Sequence, residues 1–345
     1  MAYADYQSNA SSDWREQLKR NEAKTRWVIV SFIALYTLLG LLLDVIVAMN
    51  IYHGAPLSSV LHALLTLQIV PYATLILFAI AGISLLVTFS MYDRLMLLGT
   101  EYYEITPRNA NSLLEKQLYN VVEEMKVASS LDYMPKVYII EADYMNAFAS
   151  GYSEKSAMVA ITRGLIEKLD RAELQAVMAH ELSHIRHHDI KLNLSVAVLS
   201  NLMLIIIDVL FYSLIFGRQR REDNRLLIII MILRYVLPLV TVLLTLFLSR
   251  TREYMADAGA VELMRDNSPM ARALLKISGD HEQHAETYRE QYGQTPHEDV
   301  RRASYIFDPV KTGFEPVASL SGAFSTHPSL EQRLKALGFK KSNKE

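Results

Sequence analysis

From Trp27 to Asp93 the chain contains no lysine or arginine, a run of 67 residues. Within it Val28–Met49 and Ile69–Met91 are each almost continuously apolar. About 20 such residues, coiled as a helix, cross the hydrocarbon core of a bilayer, so the stretch is expected to form two membrane spans. A cleaved signal peptide fits poorly: the first run exceeds an apolar core of roughly 7–15 residues and starts too far into the chain. Arg15, Lys19, Arg20, Lys24 and Arg26 precede the first span, and no basic residue lies between the two. The positive-inside tendency therefore predicts a cytoplasmic N-terminus and a return to the cytoplasm at Arg94. Asp44 and Pro71 interrupt the apolar pattern. An ionisable group inside a span usually faces protein or water, so Asp44 is expected to pack against another helix.

A second apolar pair follows at Leu192–Phe216 and Leu226–Leu248. The nine residues between them, Gly217–Arg225, hold Arg218, Arg220, Arg221 and Arg225 against Glu222 and Asp223. Length and pattern describe a helical hairpin with arms of roughly 35 Å at about 1.5 Å per residue. A hairpin that spans from the cytoplasm carries four arginines outside, against the charge bias. One that stays within protein and the near leaflet avoids this, and both placements are compatible with the sequence. Asp208 and Arg234 each lie 13 residues from position 221, at one depth of the hairpin, and are expected to pair there.

Composition narrows the class further. Basic and acidic residues number 35 and 37, a formal net charge of −2, which excludes the basic excess of a nucleic-acid-binding chain. There is no cysteine, so disulfides, iron–sulfur clusters, thiolate zinc sites and a cysteine nucleophile are excluded. The soluble remainder is Gly99–Lys191 plus Ser249–Glu345. Apolar spacing predicts a helix over Thr106–Ser130 and short strands at Lys136–Glu141, Asn146–Gly151 and Ala157–Thr162. Asp170 with Glu173 three residues on predicts the capped start of a helix running to His187.

That helix contains His180-Glu181-Leu182-Ser183-His184, an H-E-x-x-H pattern. Residues four apart share a helix face, so both imidazoles can chelate one ion. Glu181 sits beside them, where it can reach an attacking water without occupying the metal. A catalytic zinc needs a third protein ligand, and without cysteine the candidates are histidine, glutamate or aspartate. His187 and His188 follow closely, but one straight helix rarely supplies three converging ligands, and both read better as a polar boundary. Glu253 follows the second hairpin arm by five residues, as His184 precedes the first by eight, so a closed hairpin returns Glu253 beside His184. Asp257, one turn further on, reads either as a carboxylate that orients a ligand histidine or as part of a solvated face.

At these residues the chain resembles the HtpX family of membrane zinc metalloproteases, in the gluzincin clan with the prenyl-protein CAAX proteases. The resemblance rests on His180–His184, on Glu253-Tyr-Met-Ala-Asp257 after the hairpin, on the two N-terminal spans, and on Asn146-Ala-Phe-Ala149, Thr162-Arg-Gly-Leu165, Thr326-His-Pro328 and Arg333. It implies an integral membrane protein of α+β, mainly helical class: two N-terminal transmembrane helices, the hydrophobic hairpin, and a cytoplasmic zincin-like domain with a small β-sheet. The expected division is a polar tail at 1–26, a transmembrane pair at 27–98, and a metalloprotease domain at 99–345 interrupted by the hairpin at 192–249. The implied reaction is endoproteolysis of misfolded or damaged membrane and cytosolic proteins, in quality control at a bacterial inner membrane, with one Zn2+ per subunit held by His180, His184 and Glu253. Glu181 would act as general base. His327 would donate to the oxyanion, or else is a turn residue before Pro328. Arg333 would position its segment or a substrate carboxylate, or form a surface ion pair. Asn146, Ala147, Phe148 and Ala149 would form an edge strand to which substrate adds by main-chain pairing, against a plain interior strand. The stretch Asp280–Pro316, with His281, His284 and His297, reads as a mobile loop. A CAAX-type endoprotease and a zinc-stabilised scaffold without activity are the alternative functions.

Overall fold

Asp44 caps the second apolar helix from the side of the first. Its Oδ1 accepts the amide of Ala73 at 2.7 Å, and its Oδ2 accepts the amide and hydroxyl of Thr74 at 3.0 and 2.6 Å. A buried carboxylate at a helix N-terminus meets the unpaired amides and the positive dipole end together, which explains an aspartate inside an apolar run. The contact belongs to a computed structural model that describes residues 6–8, 14–52, 54–97, 100–151, 153–216, 225–294, 304–307 and 327–341. Thr326, His297 and the hairpin tip at 217–224, with Arg218, Arg220 and Arg221, lie outside the described residues.

In chain order the elements are β1 (Tyr6–Ser8), α1 (Trp14–Ile51), α2 (Leu57–Leu65), α3 (Tyr72–Leu97), β2 (Tyr102–Ile105), α4 (Leu113–Ala128), β3 (Lys136–Ile140), β4 (Ala147–Ser150), β5 (Met158–Thr162), α5 (Arg163–Lys168), α6 (Arg171–Arg186), α7 (Asp189–Phe216), α8 (Arg225–Met264), α9 (Ser268–Gln283), α10 (Ala285–Gln294), α11 (Leu330–Ala336) and β6 (Phe339–Lys341). They form two compact units, one of residues 26–90 and 194–245, the other of 1–25, 91–193 and 246–345.

The first unit is helical. Helices over Arg15–Ile51, Tyr72–Met91, Asp189–Tyr212 and Leu227–Met264 are long and apolar enough to cross a membrane, so the later hairpin matches the N-terminal pair in this respect. Large apolar side chains point outward along them, among them Leu38, Ile83, Leu86, Val209 and Ile232. The short α2 between the first two spans was not legible in the sequence. It buries Val60 and Leu64 against Val45 and Ala48 of α1. The expected hairpin pair forms: Arg234 Nε lies 2.9 Å from Asp208 Oδ1, and its guanidinium stacks 4.0 Å from the Phe211 ring centroid.

The second unit holds a four-stranded sheet of order β2-β3-β5-β4, antiparallel except for the parallel β3–β5 pair. β5 is buried along its whole length because both faces are covered. Val159 and Ile161 join one core with Leu118 and Val122 of α4, Val177 and Leu182 of α6 and Leu274 of α9. Met158 and Ala160 face the other way, against Tyr144, Phe148, Tyr288, Tyr292 and Tyr305. This is the period-two alternation of a strand, with apolar cover on both sides.

Two expectations are corrected and one element is added. The helix expected from Thr106 begins at Leu113, because Ser112 and Glu115 form a capping box and Asn109 folds residues 106–109 into a turn through the Thr106 amide. The strand β2 precedes that turn and was not anticipated. The start of the loop expected at 280–316 is helical: α9 continues to Gln283 and α10 runs over Ala285–Gln294, because the aromatic face of α10 packs on the sheet through Tyr288 and Tyr292.

Candidate metal centre

Helix α6 starts on a capping box. Asp170 Oδ1 accepts the Glu173 amide at 2.8 Å, and Glu173 Oε2 accepts the Asp170 amide at 3.0 Å. The start being fixed, the helix carries His180 and His184 inward on one face, and both rings turn Nε2 toward a common point, 3.1 Å apart. The backbone of helix α8 at Gly259 lies against the Ser183 side chain of α6. A methyl group added to Gly259 would lie 2.4 Å from the Ser183 hydroxyl oxygen and 2.9 Å from its Cβ. That close approach brings in Glu253, with Oε1 3.6 Å from His184 Nε2 and Oε2 3.8 Å from His180 Nε2.

These three side chains can hold a metal ion. Tetrahedral ligands with bonds of about 2.0–2.1 Å lie roughly 3.3 Å from one another, close to the 3.1 Å between the two Nε2 atoms and to the 3.6 and 3.8 Å at which the two Glu253 oxygens each approach one of them. Glu253 Oε2 is buried and makes no hydrogen bond of good geometry, although His327 Nδ1 and Arg333 Nη1 lie 3.4 and 3.5 Å from it. Burial, then the neighbouring His180, pushes the His184 imidazole down to about 3, so it is neutral and ligand-competent at pH 7.

Glu181 is buried beside this triangle, and neither carboxylate oxygen has a hydrogen-bond partner. Burial first, and the Glu253 carboxylate second, raise its pKa well above the ordinary glutamate range, while the Ala149 amide and Arg333 oppose the shift.

Asp257 is buried, not solvated: its Oδ1 lies 3.0 Å from His180 Nδ1, although off the line of the ring N–H. Arg333 is likewise buried and not a surface group; it holds Asp257 through two hydrogen bonds and places Nη1 3.5 Å from Glu253 Oε2. His327 joins the centre, with Nδ1 3.4 Å from Glu253 Oε2. Asn146 is buried immediately before β4, and Ala147, Phe148 and Ala149 form β4 at the edge of the sheet, not in its interior. His187 stays outside the triangle, its Nδ1 donating to the Ser183 carbonyl at 2.9 Å; burial, then Arg252, lowers its pKa to about 4. His281 likewise is a buried packing residue.

Sequence reasoning missed Asp189 and Arg252. Asp189 Oδ2 lies 2.8 Å from His184 Nδ1, the orienting contact expected of a carboxylate behind a ligand histidine. Arg252 pairs with Asp189 and donates to the His187 carbonyl at 3.1 Å. The signal was faint: α6 ends at Arg186, and His188 takes a left-handed φ of 55°, which folds Asp189 back onto the helix it follows. Nothing in the spacing alone reveals that turn.

Comparison with known proteins matches this arrangement to a family. The model of Peptidase family M48 matches residues 112–339, which include α6, Glu253, His327 and Arg333. The chain belongs to Peptidase family M48. A Protease HtpX homolog of Helicobacter pylori is 39% identical over 326 residues, covering 94% of this chain and 98% of that protein. One of Listeria monocytogenes is 31% identical over 340 residues, covering 93% and 98%. The crystal structure of S. mikatae Ste24p aligns with a TM-score of 0.43 at 18% identity, over 97% of this chain and 68% of that one. This M48 peptidase is a multi-pass membrane metalloprotease that acts on protein substrates.

Proposed function

We propose that the chain is a zinc endopeptidase of the bacterial inner membrane, with its catalytic unit on the cytoplasmic side, which cuts misfolded or damaged membrane and cytosolic proteins. The observation that carries the reading is the His180–His184–Glu253 triangle beside the buried, unpartnered carboxylate of Glu181. Two imidazoles and one carboxylate, with no thiolate, form the donor set of a catalytic zinc site in which one position stays open. When bound, zinc would lower the pKa of a water and polarise the scissile carbonyl.

The residues supply the rest. A carboxylate oxygen of Glu181 takes the proton of the attacking water, and its raised pKa lets it hold that proton and deliver it to the departing amine. His327 donates from a ring nitrogen to the oxygen that becomes negative. Asp257 and Asp189 hold the Nδ1 sides of His180 and His184 and so aim both Nε2 atoms inward. Substrate lies extended along β4 and is bound through its main chain, which suits an enzyme that meets many unfolded sequences.

Purified Glu181→Gln tests the chemistry beside the parent, with casein as substrate. The variant should keep its zinc and lose about 10²–10⁴-fold in cleavage; equal zinc-dependent cleavage would contradict the role of Glu181. Glu123, exposed on α4, tests the placement. A single cysteine there should react with an impermeant maleimide only once the inner membrane is opened. Labelling in intact spheroplasts would overturn the cytoplasmic assignment.

A further inference from the structure

The free edge of β4 is already in use. Asn146 accepts the Thr162 amide through its carbonyl at 3.0 Å, so the backbone groups of Asn146 and Phe148 face β5 while those of Ala147 and Ala149 face outward. On that outer side the Ile306 amide donates to the Ala147 carbonyl at 3.0 Å. The Ile306 carbonyl accepts from Arg333 Nη1 at 2.6 Å. The Asn146 side chain accepts the Phe307 amide at 3.4 Å and donates to the Phe307 carbonyl at 3.1 Å.

All four contacts are to main-chain atoms of 306 and 307, so they are blind to side-chain identity and would suit any extended peptide. Their place is also telling. Arg333 Nη1 is 3.5 Å from the metal-ligand carboxylate Glu253, and Ala149, two residues or about 7 Å along the strand from Ala147, faces Glu181. Tyr305 and Ile306 are each 1% exposed, with Tyr305 packed edge-on to Phe148 at 5.8 Å. A small pocket beside Ile306 and Phe307 is lined by Leu274, His327, Pro328 and Leu330.

We propose that Ser304–Phe307 is an intramolecular occupant of the substrate edge, held by the contacts that a substrate main chain would use, and that substrate must displace it. This rests on the reading that substrate pairs with β4. Resting enzyme is therefore self-blocked, and an extended chain with an apolar side chain in the position of Ile306 competes best for the place.

Ile306→Pro removes the amide that bonds Ala147. Its cleavage of casein should rise about two- to tenfold, the equivalent of one lost hydrogen bond. Unchanged or lower cleavage at parental zinc content would overturn the proposal. Amide exchange in zinc-loaded Glu181→Gln with unfolded casein bound gives a second measure that needs no change in the segment. Exchange at 304–307 should accelerate while β4 stays protected. If β4 gains protection and 304–307 does not change, the edge reading survives and the occupancy fails. If bound casein alters neither, the edge reading fails, and the occupancy with it.

Discussion

Arg333 grips Asp257 with two hydrogen bonds, Nε to Oδ2 at 2.9 Å and Nη2 to Oδ1 at 2.6 Å, and Asp257 Oδ1 lies 3.0 Å from His180 Nδ1. A guanidinium from near the C-terminus thus reaches the candidate metal ligand through one carboxylate. Both partners are buried, so removing one member strands a charge, at a cost of about 3–5 kcal/mol.

Arg333→Lys tests this relay. Lysine keeps the charge but cannot form the planar fork, so Asp257 loses its fixed orientation. Zinc affinity, measured by chelator competition, and casein cleavage should each fall about 10–100-fold. Parental values for both would mean that His180 is held by other contacts.

Gly259→Ala should destabilise the protein through the α6–α8 contact. The new methyl would press against the Ser183 hydroxyl at 2.4 Å and its Cβ at 2.9 Å, and overpacking of this kind costs about 1–3 kcal/mol. Ser183→Ala removes the nearer atom, so the double variant should recover part of the loss, giving a favourable coupling in thermal unfolding. Strict additivity would show that the helices do not meet there.

His281 should make stability depend on pH. Burial is the main reason its pKa lies below the ordinary histidine value, and the ring is held between the Ile277 carbonyl at 2.9 Å and the Tyr292 hydroxyl at 3.2 Å. With the folded value depressed, the unfolded chain binds more protons once the pH falls below about 6.5. The contribution is therefore complete above that pH and is lost as the pH falls toward the folded value. Melting curves of the parent and His281→Gln should converge on acidification from pH 7. A constant gap would contradict the account.

The metal triangle was legible because its parts follow local rules. His180 and His184 sit one helical turn apart, and the hairpin returns Glu253 to their level. Asp170 and Glu173 gave the start of α6 for the same reason. What escaped depended on tertiary geometry. Asp189 orients His184 only because the chain turns at His188, a non-glycine residue in a left-handed conformation that spacing does not signal. The burial of Arg333 depends on α11 docking, through Leu334, against a core drawn from strands and helices across the second unit. Nothing in the sequence around Gly259 signals that Ser183 packs against it. The loop expected at 280 was misjudged because charge on α10 outweighed Tyr288 and Tyr292, whose partners lie on strands far away in sequence.

The central claim is that Glu253 completes a zinc site with His180 and His184, and metal analysis of purified Glu253→Gln tests it most directly. The parent should carry one zinc per chain after dialysis, and the variant, folded by circular dichroism, should carry markedly less. A variant that retains one tightly held zinc would contradict the assignment of Glu253 as the third ligand.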